Sequence, residues 1–320
     1  MNRRPKLLVT RRVFPEVVER LRPHFELEGN PDDALWPRAE LLRRAADRNA
    51  LFVVGSDRVD RELLDACPDL KMVATGTVGY NHIDVAACAA RGIAVTNTPD
   101  VLTEATADLG WALLMAAARR LSETERWLRE GRWDSWAFDQ FLGADVHGAT
   151  LGIVGMGRIG SAIARRARGF SMQVLYHNRS RAPNEVELGA RRVALDELLR
   201  SADHVILVVP YTPETHHLIG ARELAMMKPG AVLVNIARGG IVDDAALAQA
   251  LRAGPIGAAG LDVYENEPKV NPALLEVPNV VLTPHIGSAT RSSRLGMAML
   301  AAENLVAWAR GQPLRTPVGA

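Results

Sequence analysis

The stretch Leu151-Gly152-Ile153-Val154-Gly155-Met156-Gly157-Arg158-Ile159-Gly160 passes from a short apolar run into three glycines spaced Gly-x-Gly-x-x-Gly. Leu151 to Val154 reads as a buried strand, and the amphipathic segment Ser161 to Phe170 reads as a helix. Strand, glycine turn and helix in that order are the context that a dinucleotide-binding fingerprint requires. The reason is steric and electrostatic. A pyrophosphate must approach backbone N–H groups at a helix N-terminus, where the helix dipole favours negative charge. Any side chain larger than hydrogen would block that approach.

The following strand bears on which dinucleotide binds. Gln173 to Tyr176 runs into His177-Asn178-Arg179-Ser180. A site for NAD usually places Asp or Glu at this strand end to hold the ribose 2′-hydroxyl. Here no acid stands there; Asn178, Arg179 and Ser180 offer donors, and Arg179 adds a fixed charge that matches a 2′-phosphate. NADP(H) is therefore expected to be preferred, with NAD(H) as the second cofactor. The competing reading is a plain polar turn after a strand.

The chain has 320 residues, enough for two domains with their own cores. Hydrophobic residues make up 48% and charged residues 23%, which argues for a globular chain over a disordered one. A net charge of +1 supplies no bulk attraction to nucleic acid or to an anionic membrane, and neither is expected as a partner. The basic residues are nearly all arginine; lysine occurs only at Lys6, Lys71, Lys228 and Lys269. Cys67 and Cys88 lack metal-ligand spacing and read as free thiols of a reducing cytoplasm, and no metal site is expected. The apolar run after Lys6 is too short for a signal peptide, and no run approaches membrane-spanning length.

From the N-terminus, Lys6 to Thr10, Ala50 to Val54, Lys71 to Thr75 and Ile93 to Thr96 read as strands. Pro15 to Leu21, Arg61 to Ala66 and Val85 to Ala90 read as the helices between them. Such alternation predicts a parallel sheet covered by helices. A boundary falls at Asn97-Thr98-Pro99. The helical stretch from Leu102 to Arg120 carries small residues suited to close packing on a second helix, and Glu123 to Arg129 continues helical. Gly131-Arg132-Trp133-Asp134-Ser135-Trp136 reads as an aromatic loop, serving either as a partner surface or lid, or as the cap of a core. After the glycine turn, strands are expected at His204 to Val209, Ala231 to Ile236, Ala258 to Val263 and Val280 to Thr283. Helices are expected at Leu195 to Arg200 and Ala245 to Arg252. The helical tail from Ser288 to Arg310 has no strand after it and is expected to return to the first domain.

Ligands in parallel α/β sheets bind at the carboxyl ends of strands. The polar residues that break the apolar pattern there are Arg238, Asp262, Glu267 and His285. Singly, each passes for an ordinary turn residue. Together they supply a base, an acid partner and a fixed cation at successive strand ends.

With those residues in hand, the chain resembles the D-isomer-specific 2-hydroxyacid dehydrogenases. The resemblance spans Val78-Gly79 to the terminal helix. It rests on Asn235-Ile236-Ala237-Arg238-Gly239-Gly240, on Gly260-Leu261-Asp262-Val263-Tyr264-Glu265-Asn266-Glu267-Pro268, and on Thr283-Pro284-His285-Ile286-Gly287-Ser288-Ala289-Thr290. Within the family the chain is similar to glyoxylate/hydroxypyruvate reductases, through Gly131-Arg132-Trp133-Asp134-x-Trp136 and the strand end at Arg179. The resemblance implies an α/β fold of two doubly wound parallel-sheet domains. A Rossmann cofactor domain (99–288) would be inserted into a flavodoxin-like substrate domain (1–98, completed by 289–320).

It implies reduction of small 2-oxo acids, glyoxylate and hydroxypyruvate, to glycolate and D-glycerate. His285 would be the general acid, Glu267 would orient it and raise its pKa, and Arg238 would hold the substrate carboxylate. Val78 and Gly79 would complete the carboxylate cradle through their backbone N–H groups, and Ser288 and Trp136 would line the substrate site. Gly155, Met156, Gly157, Arg158 and Ile159 would hold the pyrophosphate, with Asn178, Arg179 and Ser180 at the ribose. Thr106, Val209, Pro210, Thr215, Ile236, Ala237, Asp262 and Gly287 would complete the cofactor site, Asp262 at the nicotinamide end beside Thr106. A homodimer is implied, the loop near Trp136 reaching toward the neighbouring active site.

Phosphite dehydrogenases carry a lysine where this chain has Val78, so a doubly anionic inorganic substrate is poorly matched. A phosphoglycerate dehydrogenase with a long C-terminal regulatory extension is not expected, although short forms of that enzyme exist. A 2-ketogluconate reductase, or another D-2-hydroxyacid dehydrogenase, shares the quoted blocks and remains an alternative. From another class, a nicotinamide-sensing binding protein is the competing reading, and turnover separates the two.

Overall fold

The computed structural model describes residues 4–319, which form two compact units. Among the described residues, one comprises 4–102 with 289–319; the other is Thr103–Ser288.

The first unit has five strands: β1 (Lys6–Val9), β2 (Glu26–Glu28), β3 (Ala50–Val53), β4 (Met72–Thr75) and β5 (Ala94–Thr96). They pair in parallel in the order β2-β1-β3-β4-β5, the doubly wound order of flavodoxin-like sheets. Both sheet faces are covered, so the central strands are continuous apolar runs. Alternation then divides each strand between two cores. Leu7 and Val9 face one cluster with Phe25 and Phe52, while Leu8 faces another with Leu51, Val53 and Val73. The long helix Arg291–Ala309 returns to this unit, as its position at the chain end led us to expect. Its Ala298, Ala301, Ala302 and Leu305 enter the cluster of Leu7 and Phe25. Small residues on that face let the helix lie close to the sheet, and its N-cap Thr290 accepts from Ser293 N–H. Such a cap is worth about 1 kcal/mol.

The second unit carries seven strands: β6 (Thr150–Val154), β7 (Gln173–His177), β8 (Ala190–Arg192), β9 (His204–Leu207), β10 (Val232–Asn235), β11 (Ala258–Leu261) and β12 (Val280–Leu282). All pair in parallel, in the order β12-β11-β10-β9-β6-β7-β8. Counted from β6, this is the Rossmann order 3-2-1-4-5-6 with a seventh strand added. The order reverses between β6 and β9, which places the glycine turn at the switch point. The registers Asn235↔Leu207, Asn235↔Leu261 and Leu261↔Leu282 end four strands level. The chain therefore leaves the sheet at Val208, Ile236, Asp262 and Thr283 along one edge.

Helix Thr103–Ala118 packs on helix Arg158–Ala167 and on β11. Trp111 Nε1 donates to Ile163 C=O (3.2 Å), and a Cβ on Gly260 would stand 2.9 Å from Leu113 Cβ. Helix Leu121–Arg129 buries none of its residues. The loop after it leaves Trp133, Trp136 and Phe138 exposed, at 60%, 69% and 88%, so Trp133 and Trp136 do not cap a core of their own chain. Cys67 and Cys88 are free and buried, and burial pushes both thiols up to about 11. No helix among the described residues is long and apolar enough to cross a membrane.

Candidate active site

Each glycine of the turn does different work. Gly155 adopts a left-handed φ of +106°, and a Cβ there would meet the Val208 backbone at 2.8 Å, where β6 and β9 part. A Cβ on Gly160 would lie 2.1 Å from Gly155 C=O, so only hydrogen lets the helix start against the turn. A Cβ on Gly157 would meet nothing within 4 Å. Open space over Gly157, beside a helix N-terminus, fits a pyrophosphate. The first intrahelical bond is Ser161 N–H to Gly157 C=O (2.8 Å), and a helix leaves its earlier N–H groups to be satisfied from outside. The helix begins at Arg158 rather than at Ser161, because Gly157 already serves as its N-cap.

One expected pyrophosphate donor is already engaged: Met156 N–H donates to Asn178 Oδ1 at 2.7 Å. Asn178 thus ties the end of β7 to the glycine turn. Arg179 and Ser180 are exposed beyond it. Arg192, at the end of β8, donates to the carbonyls of Asn178 (2.9 Å) and Arg179 (2.8 Å), holding this turn from its outer side. Nothing in the sequence pattern singled out Arg192. Across the switch point, Val209 is half-buried and Pro210 exposed. Thr215 Oγ1 donates to Pro210 C=O (2.9 Å) and accepts from Thr212 N–H (2.8 Å), closing that loop on itself.

The loops after β10, β11 and β12 bring Arg238, Glu267 and His285 together. Glu267 Oε2 lies 2.7 Å from His285 Nδ1, and Glu267 Oε1 accepts from Tyr264 N–H at 2.9 Å. Burial alone would push the Glu267 carboxyl up. The hydrogen bonds from His285 and Tyr264, with the charges of His285 and Arg238, outweigh it and hold the group below the usual carboxylate range. Since the folded pKa is depressed, the contact stabilises the fold above the unfolded value; that contribution is lost as pH falls through the lower, folded value. With Nδ1 donating to this carboxylate, Nε2 is the nitrogen left to exchange a proton.

Arg238 is half-buried, and burial lowers its pKa while Glu267 raises it. Its peptide is bracketed by Asn235, which is 2% exposed: Oδ1 accepts from Ala237 N–H (3.0 Å) and Nδ2 donates to Arg238 C=O (3.2 Å). Ile236 and Ala237 are buried behind it.

His285 sits at a left-handed φ of +52°, strained for a residue with a Cβ. The strain is held by its surroundings. His285 N–H donates to Asp262 C=O (2.9 Å). Asp262, 1% exposed, accepts from Thr283 Oγ1 (2.7 Å), Ile286 N–H (2.7 Å) and Gly287 N–H (2.8 Å). Tyr264 OH donates to Thr283 C=O (2.9 Å), and burial, then the charge of Asp262, pushes this phenol up to about 12. Thr106, buried, lies under Gly287: a Cβ there would be 3.5 Å from Thr106 Cγ2. Asp262 therefore fixes the turn that presents His285, and Ser288 closes it, half-buried.

A Cβ on Gly239 would sit 1.6 Å from Tyr264 C=O. The Arg238 loop and the Glu267 loop touch through this missing side chain. Gly239→Ala is expected to destabilise the fold by about 1–3 kcal/mol and to cut turnover, because it displaces the Tyr264 amide that holds Glu267. Thermal unfolding and initial rates check this; a wild-type Tm with a wild-type rate would contradict the close approach.

Val78 and Gly79 lie in the first unit, in the loop after β4, half-buried. Outside the triad, His216, His217 and Glu265 present ligand atoms within 4.8 Å of one another; His217 Nε2 already pairs with Glu265 at 3.0 Å.

Residues 111–287 match the family model of the D-isomer specific 2-hydroxyacid dehydrogenase NAD binding domain. A glyoxylate reductase of Thermococcus onnurineus is 51% identical over 97% of this chain and 94% of its own. The crystal structure of a glyoxylate reductase from Paecilomyes thermophila superposes with a TM-score of 0.90 at 37% identity, covering 100% of this chain and 99% of that one. An NADPH-dependent glyoxylate/hydroxypyruvate reductase from Sinorhizobium meliloti, solved with NADP and malonate, gives a TM-score of 0.87 at 41% identity, covering 99% of this chain and 97% of that one.

Proposed function

The chain belongs to the D-isomer-specific 2-hydroxyacid dehydrogenases, and from that premise we propose that it reduces glyoxylate and hydroxypyruvate with NADPH, His285 acting as general acid. The observation that carries this reading is the 2.7 Å contact between His285 Nδ1 and the Glu267 carboxylate, beside the Arg238 guanidinium. When bound, the nicotinamide supplies a hydride to C2 of the substrate. The residues do the rest. Arg238 binds the substrate carboxylate and draws charge toward the carbonyl oxygen. His285 Nε2 gives that oxygen a proton, and takes it back in the oxidative direction. Glu267 keeps the imidazole aimed through its contact with Nδ1. Asp262 and Tyr264 hold the turn that His285 stands on.

Val78 and Gly79, in the first unit, carry backbone donors suited to a substrate carboxylate. The domain roles follow: residues 99–288 hold the cofactor, and 1–98 with 289–320 hold the substrate. At the cofactor, Gly157 and the start of helix Arg158–Ala167 receive the pyrophosphate.

The preference for NADPH rests on Arg179, exposed at the end of β7 where an acid would select NADH. The Sinorhizobium meliloti relative is NADPH-dependent by its description, while an Aquifex aeolicus D-lactate dehydrogenase, 30% identical, was solved with NAD. Arg179→Ala is expected to raise KM for NADPH about tenfold or more, and to leave KM for NADH within about twofold. Equal weakening of both cofactors would sink the 2′-phosphate assignment.

Support for a homodimer comes from the uncovered apolar side chains Leu121, Leu128, Trp133, Trp136 and Phe138. Trp136 would then serve the partner subunit's site. Two buried free thiols fit a cytoplasmic enzyme.

The test is initial-rate oxidation of NADPH and NADH with glyoxylate, hydroxypyruvate, 2-ketogluconate and pyruvate in parallel. The expected result is fastest turnover of NADPH with the first two. A preference for 2-ketogluconate would overturn the substrate. Cofactor binding without turnover would replace the enzyme by a sensor.

A further inference from the structure

The N–H groups of Val78 and Gly79 find no acceptor among the described residues. In a trans peptide, an N–H points opposite to the carbonyl of the preceding residue. The Val78 N–H is therefore aimed by Thr77 C=O, and the Gly79 N–H by Val78 C=O. Both carbonyls are held from behind. Thr98 N–H donates to Thr77 C=O at 3.0 Å, and Asn97 Nδ2 donates to Val78 C=O at 2.8 Å.

The next peptide is fixed too, since Thr77 Oγ1 donates to Gly79 C=O at 2.7 Å. That commitment orders a chain of hydroxyls. Thr77 Oγ1 must accept from Thr75 Oγ1 (2.7 Å), which leaves Thr75 Oγ1 to accept from His82 Nε2–H (3.1 Å). Asn97 is itself anchored. Thr316 Oγ1 donates to Asn97 C=O (2.6 Å), and Asn304, fully buried on helix Arg291–Ala309, donates from Nδ2 to Thr316 Oγ1 (2.9 Å). Asn304 Oδ1 in turn accepts from Arg315 N–H (2.9 Å) and Thr316 N–H (3.2 Å).

We propose that Asn97 is a positioning residue for substrate: with Thr98, it presets the Gly79 and Val78 N–H groups as a two-donor cradle for the carboxylate of a 2-oxo acid. The inference rests on the reading that such an acid is the substrate and is held at this loop. With both carbonyls tied to the neighbouring residues Asn97 and Thr98, the two N–H groups are turned away from that side, and their partial positive charge suits a carboxylate. Donors fixed in advance lose no ordering entropy when the substrate arrives. The terminal helix, through Asn304 and Thr316, keeps the Asn97 amide in place.

Asn97→Asp puts an acceptor where the donor stood. At neutral pH the KM for glyoxylate is expected to rise about ten- to a hundredfold. The KM for NADPH should hold, and kcat should change less, because the cradle grips ground and transition states alike. A protonated carboxyl donates again, so the ratio of variant to wild-type KM should fall toward one as pH drops through the carboxyl range. Asn97→Leu should show the raised KM at every pH. If both variants lower Tm and active fraction but keep a wild-type KM, Asn97 serves folding only and the proposal fails. Arg238→Ala tells this from failure of the underlying reading. A raised glyoxylate KM there, with unchanged KM in both Asn97 variants, leaves the substrate standing and removes the positioning role. Absence of any 2-oxo acid turnover by the wild type removes both.

Discussion

His285→Asn is expected to lower kcat for 2-oxo acid reduction about a thousandfold, while NADPH binding stays within about twofold. Asn keeps a polar side chain of similar reach, so the turn at φ +52° should persist under Asp262 and Tyr264. What disappears is the group proposed to deliver a proton to the carbonyl oxygen. Pre-steady-state cofactor binding and steady-state rates separate the two effects. A rate within tenfold of wild type would remove His285 from the proton-transfer role. A lost rate accompanied by lost cofactor binding would point to a collapsed turn instead.

Arg238→Ala is expected to cut kcat/KM for glyoxylate about a hundred- to a thousandfold, through both a raised KM and a lowered kcat. On the proposed reading, the half-buried guanidinium makes charge-assisted hydrogen bonds to the substrate carboxylate that water replaces poorly. Its removal also takes away one of the charges that hold the Glu267 carboxyl below its usual range. The loss should therefore be greater for glyoxylate than for a neutral aldehyde, which has no carboxylate to bind. Equal losses on the two substrates, or a change confined to cofactor affinity, would show that Arg238 is not at the carboxylate.

The central strands were legible because burial on both faces favours continuous apolar runs. Ala50–Val53 and, after the buried His204, Val205–Leu207 are such runs. Two of the four edge strands were not. Glu26–Glu28 and Ala190–Arg192 carry charge along lengths of three residues, and pairing with β1 and β7 makes them strands where propensity does not. Helix Arg38–Ala45 was hidden by its arginines, which pair with Glu28 and Glu40 at its surface.

At the candidate site, Arg238, Glu267 and His285 stood out because each interrupts an apolar pattern at a strand end. Asn97 and Asn178, which work through a backbone partner, leave no such mark. Asn97 looks like a domain boundary until its amide is seen on Val78 C=O. Asn178 looks like a ribose contact until its oxygen is found on Met156 N–H. Asp262 lies in a matching motif, yet its burial beneath the His285 turn is visible only in three dimensions.

The central claim is hydride delivery to C2 of a 2-oxo acid, and the most direct test follows the hydrogen itself. NADPH deuterated at the transferring position is mixed with enzyme and glyoxylate in a single turnover, and the product is read by NMR. The account predicts glycolate carrying one deuterium at C2, in yield equal to the cofactor oxidised, and none from His285→Asn on the same timescale. Bound cofactor that stays reduced, or cofactor oxidised without deuterated glycolate, would contradict it.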